Sequence, residues 1–183
     1  VRTPPASLTD EQREMVIARY REYVRTMARP QGGRRATIAR DLNLGRQQVV
    51  TAVREWASTQ PSITDLSRDD LFRIERAYCA AAAAGAPLEG LAARIAQELG
   101  YSEWQVERWM DMLHDGDFSD VEEPSADQRE AVISAYHEYL GGDGPPAKSL
   151  HVVLGDRFGL APRQVHKILM EYRLDLRRVA FGF

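Results

Sequence analysis

The chain of 183 residues has one cysteine, Cys79, so it can form no internal disulfide and no zinc cluster built on several cysteines. A lone thiol fits a reducing compartment. Long apolar runs are missing as well: "YCAAAAAGA" is the nearest approach and falls well short of the ~18 residues that span a bilayer. The opening "VRTPPASLTD" has no apolar core of a signal peptide. Histidines 114, 137, 151 and 166 are scattered without metal-ligand spacing. "GGDGPP" (141–146) lacks the Lys-Ser/Thr and the preceding strand of a phosphate loop, and no nucleophile stands at a familiar distance from a base. These absences predict a protein that is not an enzyme and carries no cofactor. No strand-like alternation of useful length is present, and the net charge of −3 excludes a uniformly DNA-coating protein.

What is present is repetition. "REMVIARYREYV" (13–24) returns as "REAVISAYHEYL" (129–140), 116 residues on, and a degenerate copy, "LFRIERAYCAAA" (71–82), lies halfway at 58. Helix-start signals share this period. Thr9, Ser67 and Ser125 each stand three residues before Gln12, Asp70 and Gln128, the pattern of a capping box. Each copy predicts three helices: about 10–28, 35–42 and 46–57; about 68–84, 88–98 and 103–113; about 126–140, 149–157 and 162–173.

Between the second and third helices, "IARDLNLGRQQVV", "IAQELGYSEWQVE" and "LGDRFGLAPRQVH" align without a gap. A small residue (Ala39, Ala96, Gly155) is followed four positions on by one that tolerates positive φ (Asn43, Gly100, Gly159). Six further is valine: Val49, Val106 and Val165. Two helices crossing closely need a small contact residue, a left-handed turn and an apolar anchor. Leu42, Leu99 and Phe158 are expected to plug the core before the turn, and Val53, Met110 and Leu169 to extend the anchor stripe.

This spacing resembles the helix-turn-helix family, and each unit is similar to the homeodomain-like or Myb-like trihelical class. The resemblance implies an all-α protein of three tandem units, with third helices able to enter the DNA major groove. The asparagine with which homeodomains read adenine is missing from all three copies; Met112 stands in its place in copy two. Homeodomain sequence preference is therefore not carried over.

Charge separates the copies. Residues 8–57 hold ten arginines and six acids, residues 66–113 five arginines and eight acids, and "HDGDFSDVEE" (114–123) five acids and no Lys or Arg. Residues 124–183 hold eight basic and seven acidic side chains. Because phosphate neutralisation dominates DNA affinity, copy one is the expected main reader and copy three an auxiliary. In copy one, Arg46, Gln47, Gln48, Thr51 and Arg54 are the candidate DNA contacts, with Arg34 and Arg35 as phosphate clamps at the second helix start. In copy three they are Arg163, Gln164, His166 and Lys167. Gln48, Gln105 and Gln164, each preceding an anchor valine, have a second reading as supports of the turn. Arg2 and the "TPP" arm are a further candidate groove contact. In copy two, Glu103, Glu107 and Asp111 are expected on the outer face, where they would repel phosphate, with Trp104 beside them meeting a protein partner.

The expected organisation is a unit at 8–58, a unit at 66–114, a solvated and mobile acidic linker at 115–124, a unit at 125–176 and a tail at 177–183. The expected function is regulation of transcription or organisation of chromosomes through double-stranded DNA, in the cytoplasm on the nucleoid, or in a eukaryotic nucleus. Two other readings stay open: a protein-interaction adaptor, and the DNA-binding arm of a transposase or recombinase.

Overall fold

A computed structural model describes the backbone of residues 7–181 and the side chains of residues 7–178. Arg2 and the "TPP" arm lie outside the described residues. Those described form an all-helical protein of two compact bodies, the first ending at Ile63 and the second starting at Thr64. No helix among them is long and apolar enough to cross a membrane.

The N-terminal body contains α1 (Asp10–Arg25), α2 (Arg34–Asp41) and α3 (Arg46–Ser58). Thr9 and Gln12 close the predicted capping box on α1: the Gln12 amide donates to Thr9 Oγ1 and the Thr9 amide to Gln12 Oε1. Val16, Tyr20 and Val24 follow at helical spacing and are buried against Ile38, Ala39, Val49, Ala52 and Val53. The first helix ends earlier than its apolar pattern suggests. Met27 takes φ 56° while its side chain remains only 7% exposed. Packing of that side chain holds a left-handed turn that sequence rules reserve for glycine or asparagine.

The C-terminal body contains α4 (Arg68–Ala83), α5 (Leu91–Leu99), α6 (Glu103–Met112), α7 (Ala126–Gly141), α8 (Leu150–Phe158) and α9 (Pro162–Phe181). Ser67 with Asp70 and Ser125 with Gln128 cap α4 and α7 as predicted. The residues of copy two (66–114) and copy three (125–176) lie in one compact body, in which α4 also packs on α7 and α9. Phe72 meets the Tyr139 ring edge-on at 4.9 Å, and the Arg76 guanidinium donates to the backbone carbonyls of Leu140 and Gly142. One core therefore serves six helices. The helix α9 runs on through the first residues of the expected tail, to Phe181.

At the centre of this core lies a charged pair. Arg173 of α9 is 2% exposed, and its guanidinium donates to Glu75 of α4 at 2.7 Å, to Tyr136 Oη at 3.1 Å and to the Leu113 carbonyl at 3.2 Å. The Tyr136 hydroxyl also donates to Glu75, and Cys79 Sγ lies 3.4 Å from that hydroxyl. Burial pushes the Cys79 thiol pKa up, which keeps it protonated.

All three inter-helix turns share one geometry. The amides of Leu44, Tyr101 and Leu160 donate back to the carbonyls of Ala39, Ala96 and Gly155 at 2.8–3.0 Å. Asn43, Gly100 and Gly159 supply the positive φ between them. The expected plugs Leu42, Leu99 and Phe158 are only half-buried; Ile38, Ile95 and Leu154, beside the small residue, are the buried ones. Each pair shares one helix face, four positions apart, and the half-buried member is the one at the helix end, where the neighbouring turn is no longer there to cover it. Size is tightest at Gly155, where a Cβ would lie 2.6 Å from the Leu160 carbonyl oxygen. Gly155→Ala should therefore cost about 1–3 kcal/mol by overpacking, although alanine is otherwise the better helix former by roughly 1 kcal/mol. A denaturant titration showing that variant to be more stable than the parent would refute the tight-crossing argument.

Candidate nucleic-acid interface

The anchor stripe divides α3 into two faces. Val49, Ala52 and Val53 are buried, so residues offset by about half a turn must face out. Arg46, Gln47 and Arg54 are exposed, and Thr51 is half-buried between them. Within the described residues, the side chains of Arg46, Gln47 and Arg54 make no hydrogen bond or ion pair. Gln47 and Thr51 line a shallow groove of about 220 Å³ with Arg13 and Glu55, and the latter two form an ion pair of 2.7 Å.

The other copy-one candidates have structural duties. Gln48 Oε1 accepts the Gly45 amide at 2.8 Å, fixing the first turn of α3. Gln105 and Gln164 do the same for the Ser102 and Ala161 amides, at 3.2 and 2.9 Å. The turn-supporting reading therefore describes all three glutamines. The guanidinium of Arg34 donates to the Ala28 carbonyl at 2.8 Å and closes the loop ahead of α2. Arg35 is exposed, its guanidinium 5.8 Å from the centre of the Tyr20 ring.

The outer face predicted for α6 is not an outer face. Trp104, Glu107 and Asp111 are 8%, 1% and 2% exposed, and only Glu103 of that set stands in solvent. The expected partner surface around Trp104 is interior. α6 packs on α4 and α5 as α3 does on α1 and α2, and beyond its C-terminal end the Leu113 carbonyl also accepts from Arg173 of α9, so the fused core closes on it from a further side. Arg108 reaches Asp111 at 3.2 Å.

On α9 the four predicted contacts are brought together, and each is engaged by the acidic segment; Arg163 stays exposed and Gln164, His166 and Lys167 are half-buried. The acidic segment is held on this helix instead of running free through solvent. Arg163 donates to both carboxylate oxygens of Asp120, at 2.8 and 3.0 Å, and to the Asp117 carbonyl at 2.9 Å. Gln164 Nε2 donates to the Glu122 carbonyl at 3.2 Å, and Lys167 pairs with Glu123. Phe118 meets the His166 ring edge-on at 5.0 Å, while His151 stacks on its other side at 4.8 Å. Hydrogen bonding from Arg163 holds the Asp120 carboxyl below the usual carboxylate range, and Lys167 does so for Glu123. Asp117 is lowered chiefly by the Ser119 amide. Burial lowers the His166 pKa, which keeps its ring neutral.

His114, the last residue of the expected second unit and next to the acidic segment, is 5% exposed. Its Nδ1 lies 2.8 Å from the Met110 carbonyl, which can only accept, so Nδ1 carries the proton. Nε2 is then left to accept from the Tyr78 hydroxyl at 3.3 Å.

Sequence reasoning missed the charged pair Glu75–Arg173 and the partners of α9. The signals were there. Arg173 falls on the stripe of Val165 and Leu169, and five acids immediately precede a copy with a basic third helix. No family model matches the chain, and neither a curated protein nor a solved structure is significantly similar to it.

Proposed function

We propose that this chain binds double-stranded DNA, as a regulator of transcription or an organiser of chromosomes, and that α3 is its main reading element. Three tandem helix-turn-helix units, the first of which presents α3 to the major groove, make up this reading. The observation that carries it is the outward face of α3, where Arg46, Gln47 and Arg54 stand exposed opposite the buried valines. Arginine pairs with guanine and glutamine with adenine in the major groove, and Arg35 beside them supplies phosphate contact. The excess of four positive charges over residues 8–57 favours the same partner. A nucleoid or nuclear location would follow. A DNA-binding arm of a transposase or recombinase would use the same face. The adaptor reading keeps the acidic middle copy and the net charge of −3 but loses Trp104 as an exposed contact, since that ring is buried.

The test is titration of the full chain against duplex DNA at two salt concentrations. Affinity should fall with salt at a log–log slope of about −3 to −6. Arg46→Ala and Gln47→Ala should each cost about 1–3 kcal/mol of specific binding and leave the melting curve unchanged. Normal DNA binding by both variants would remove α3 as the reader. Absence of any binding at low salt would remove the DNA reading altogether.

A further inference from the structure

We infer that residues 115–123 form an intramolecular strap that occupies the DNA-facing side of α9 and keeps this second reading surface shut until duplex DNA displaces it. The inference rests on the proposed DNA-binding function and concerns the regulation of that same activity.

The strap meets each side chain that α9 would offer to DNA. Arg163, the residue best suited to grip a phosphate or a guanine, instead holds the Asp120 carboxylate through two parallel bonds. Lys167 holds Glu123, Gln164 holds the Glu122 carbonyl, and His166 is covered by Phe118. The carboxylates thus engage the same cations that phosphates would.

The covering loop is also shaped for its place. Gly116 lies so close beneath the Phe118 ring that a Cβ there would come within 2.4 Å of it. The strap is anchored at both ends, by buried His114 and by buried Pro124, so its local concentration at α9 is high.

The strap is not locked. Asp120 and Arg163 are 67% and 59% exposed at their side chains; Glu123 is 63% exposed, while its partner Lys167 is 14% exposed. An exposed pair such as Arg163–Asp120 stabilises weakly and is screened by salt. Duplex DNA carries a denser line of negative charge, about one per 1.7 Å of axis, and can compete for the same cations.

The test uses the full chain with α3 silenced by Arg46→Ala and Arg54→Ala. In that background, Asp117→Asn, Asp120→Asn and Glu123→Gln together should raise duplex affinity about tenfold or more. Amide hydrogen exchange over 117–123 should quicken in the same variant. Glu89→Gln, Glu98→Gln and Asp143→Asn remove the same charge from exposed positions away from α9 and should give a much smaller gain. Adding Arg163→Ala and Lys167→Ala to the strap variant should abolish the gain.

An equal gain from the control set would assign the effect to bulk charge and overturn the strap. Faster exchange with unchanged affinity would show an open strap that gates nothing. Unchanged exchange would show that these ion pairs do not hold the segment. The underlying DNA reading is judged separately, on the chain with α3 intact: if that chain binds no duplex, the reading and the strap's role both fall.

Discussion

Arg173→Met will destabilise the C-terminal body by about 3–5 kcal/mol, a large fraction of what holds a domain of this size together. The reason lies in what remains. Glu75, 5% exposed, would keep its carboxylate with the Tyr136 hydroxyl as its one recorded donor, and the Leu113 carbonyl would lose the guanidinium. An uncompensated buried charge costs more than the intact pair contributes. Pairing Arg173→Met with Glu75→Leu should therefore cost less than Arg173→Met alone, although the Tyr136 hydroxyl then keeps only Cys79 Sγ as a partner. Urea titrations of the parent, both single variants and the double variant form the cycle. A loss below about 1 kcal/mol for Arg173→Met, or strictly additive losses in the double variant, would show that the pair is incidental to the core.

Acid should weaken the C-terminal body well before the carboxylates titrate. Burial pushes the pKa of His114 down to about 4, and that of His151 also to about 4, where His166 adds to the effect. The unfolded chain titrates near the ordinary histidine value of about 6.5. Between those values the unfolded state binds protons that the folded state refuses, so stability falls as pH falls. The stabilisation is complete above about pH 6.5 and is lost progressively toward pH 4. His114 alone accounts for about 3 kcal/mol across that window and about 2 kcal/mol of it by pH 5. The N-terminal body contains no histidine and has no such term. Denaturant titrations at pH 7.5 and 5, with peptide-resolved hydrogen exchange to separate the bodies, should show the loss in α4–α9. His114→Gln should flatten part of it. Equal stability of the C-terminal body at both pH values would show His114 to be protonated, or exposed, in the folded protein.

Much of the fold was legible because its determinants are local. Thr9, Ser67 and Ser125 start helices through bonds to residues three positions away. The turns after Ala39, Ala96 and Gly155 follow from a small residue, a positive φ and an anchor valine within eleven positions. The outward placement of Arg46, Gln47 and Arg54 follows from the phase of Val49 and Val53 on one helix. Charge was the misleading guide. Glu107, Asp111, Glu75 and Arg173 are all buried, and a rule that sends charged side chains to solvent put the first two on an open face and left the other two unremarked.

The helices, their caps, the repeated turn and the two faces of α3 follow from the order of residues alone, because hydrogen bonds and periodicity over a few positions decide each of them. That copies two and three share one core, that α6 has no free outer face and that the acidic segment lies along α9 came from folding at long range. Each depends on partners 40 to almost 100 positions apart, as with Arg163 and Asp120 or Arg173 and Glu75. Whether a charge faces water, a phosphate or its own chain is settled by what the fold brings against it. Met27 shows the same in the backbone: its left-handed turn stands because burial of its side chain outweighs a local conformational preference.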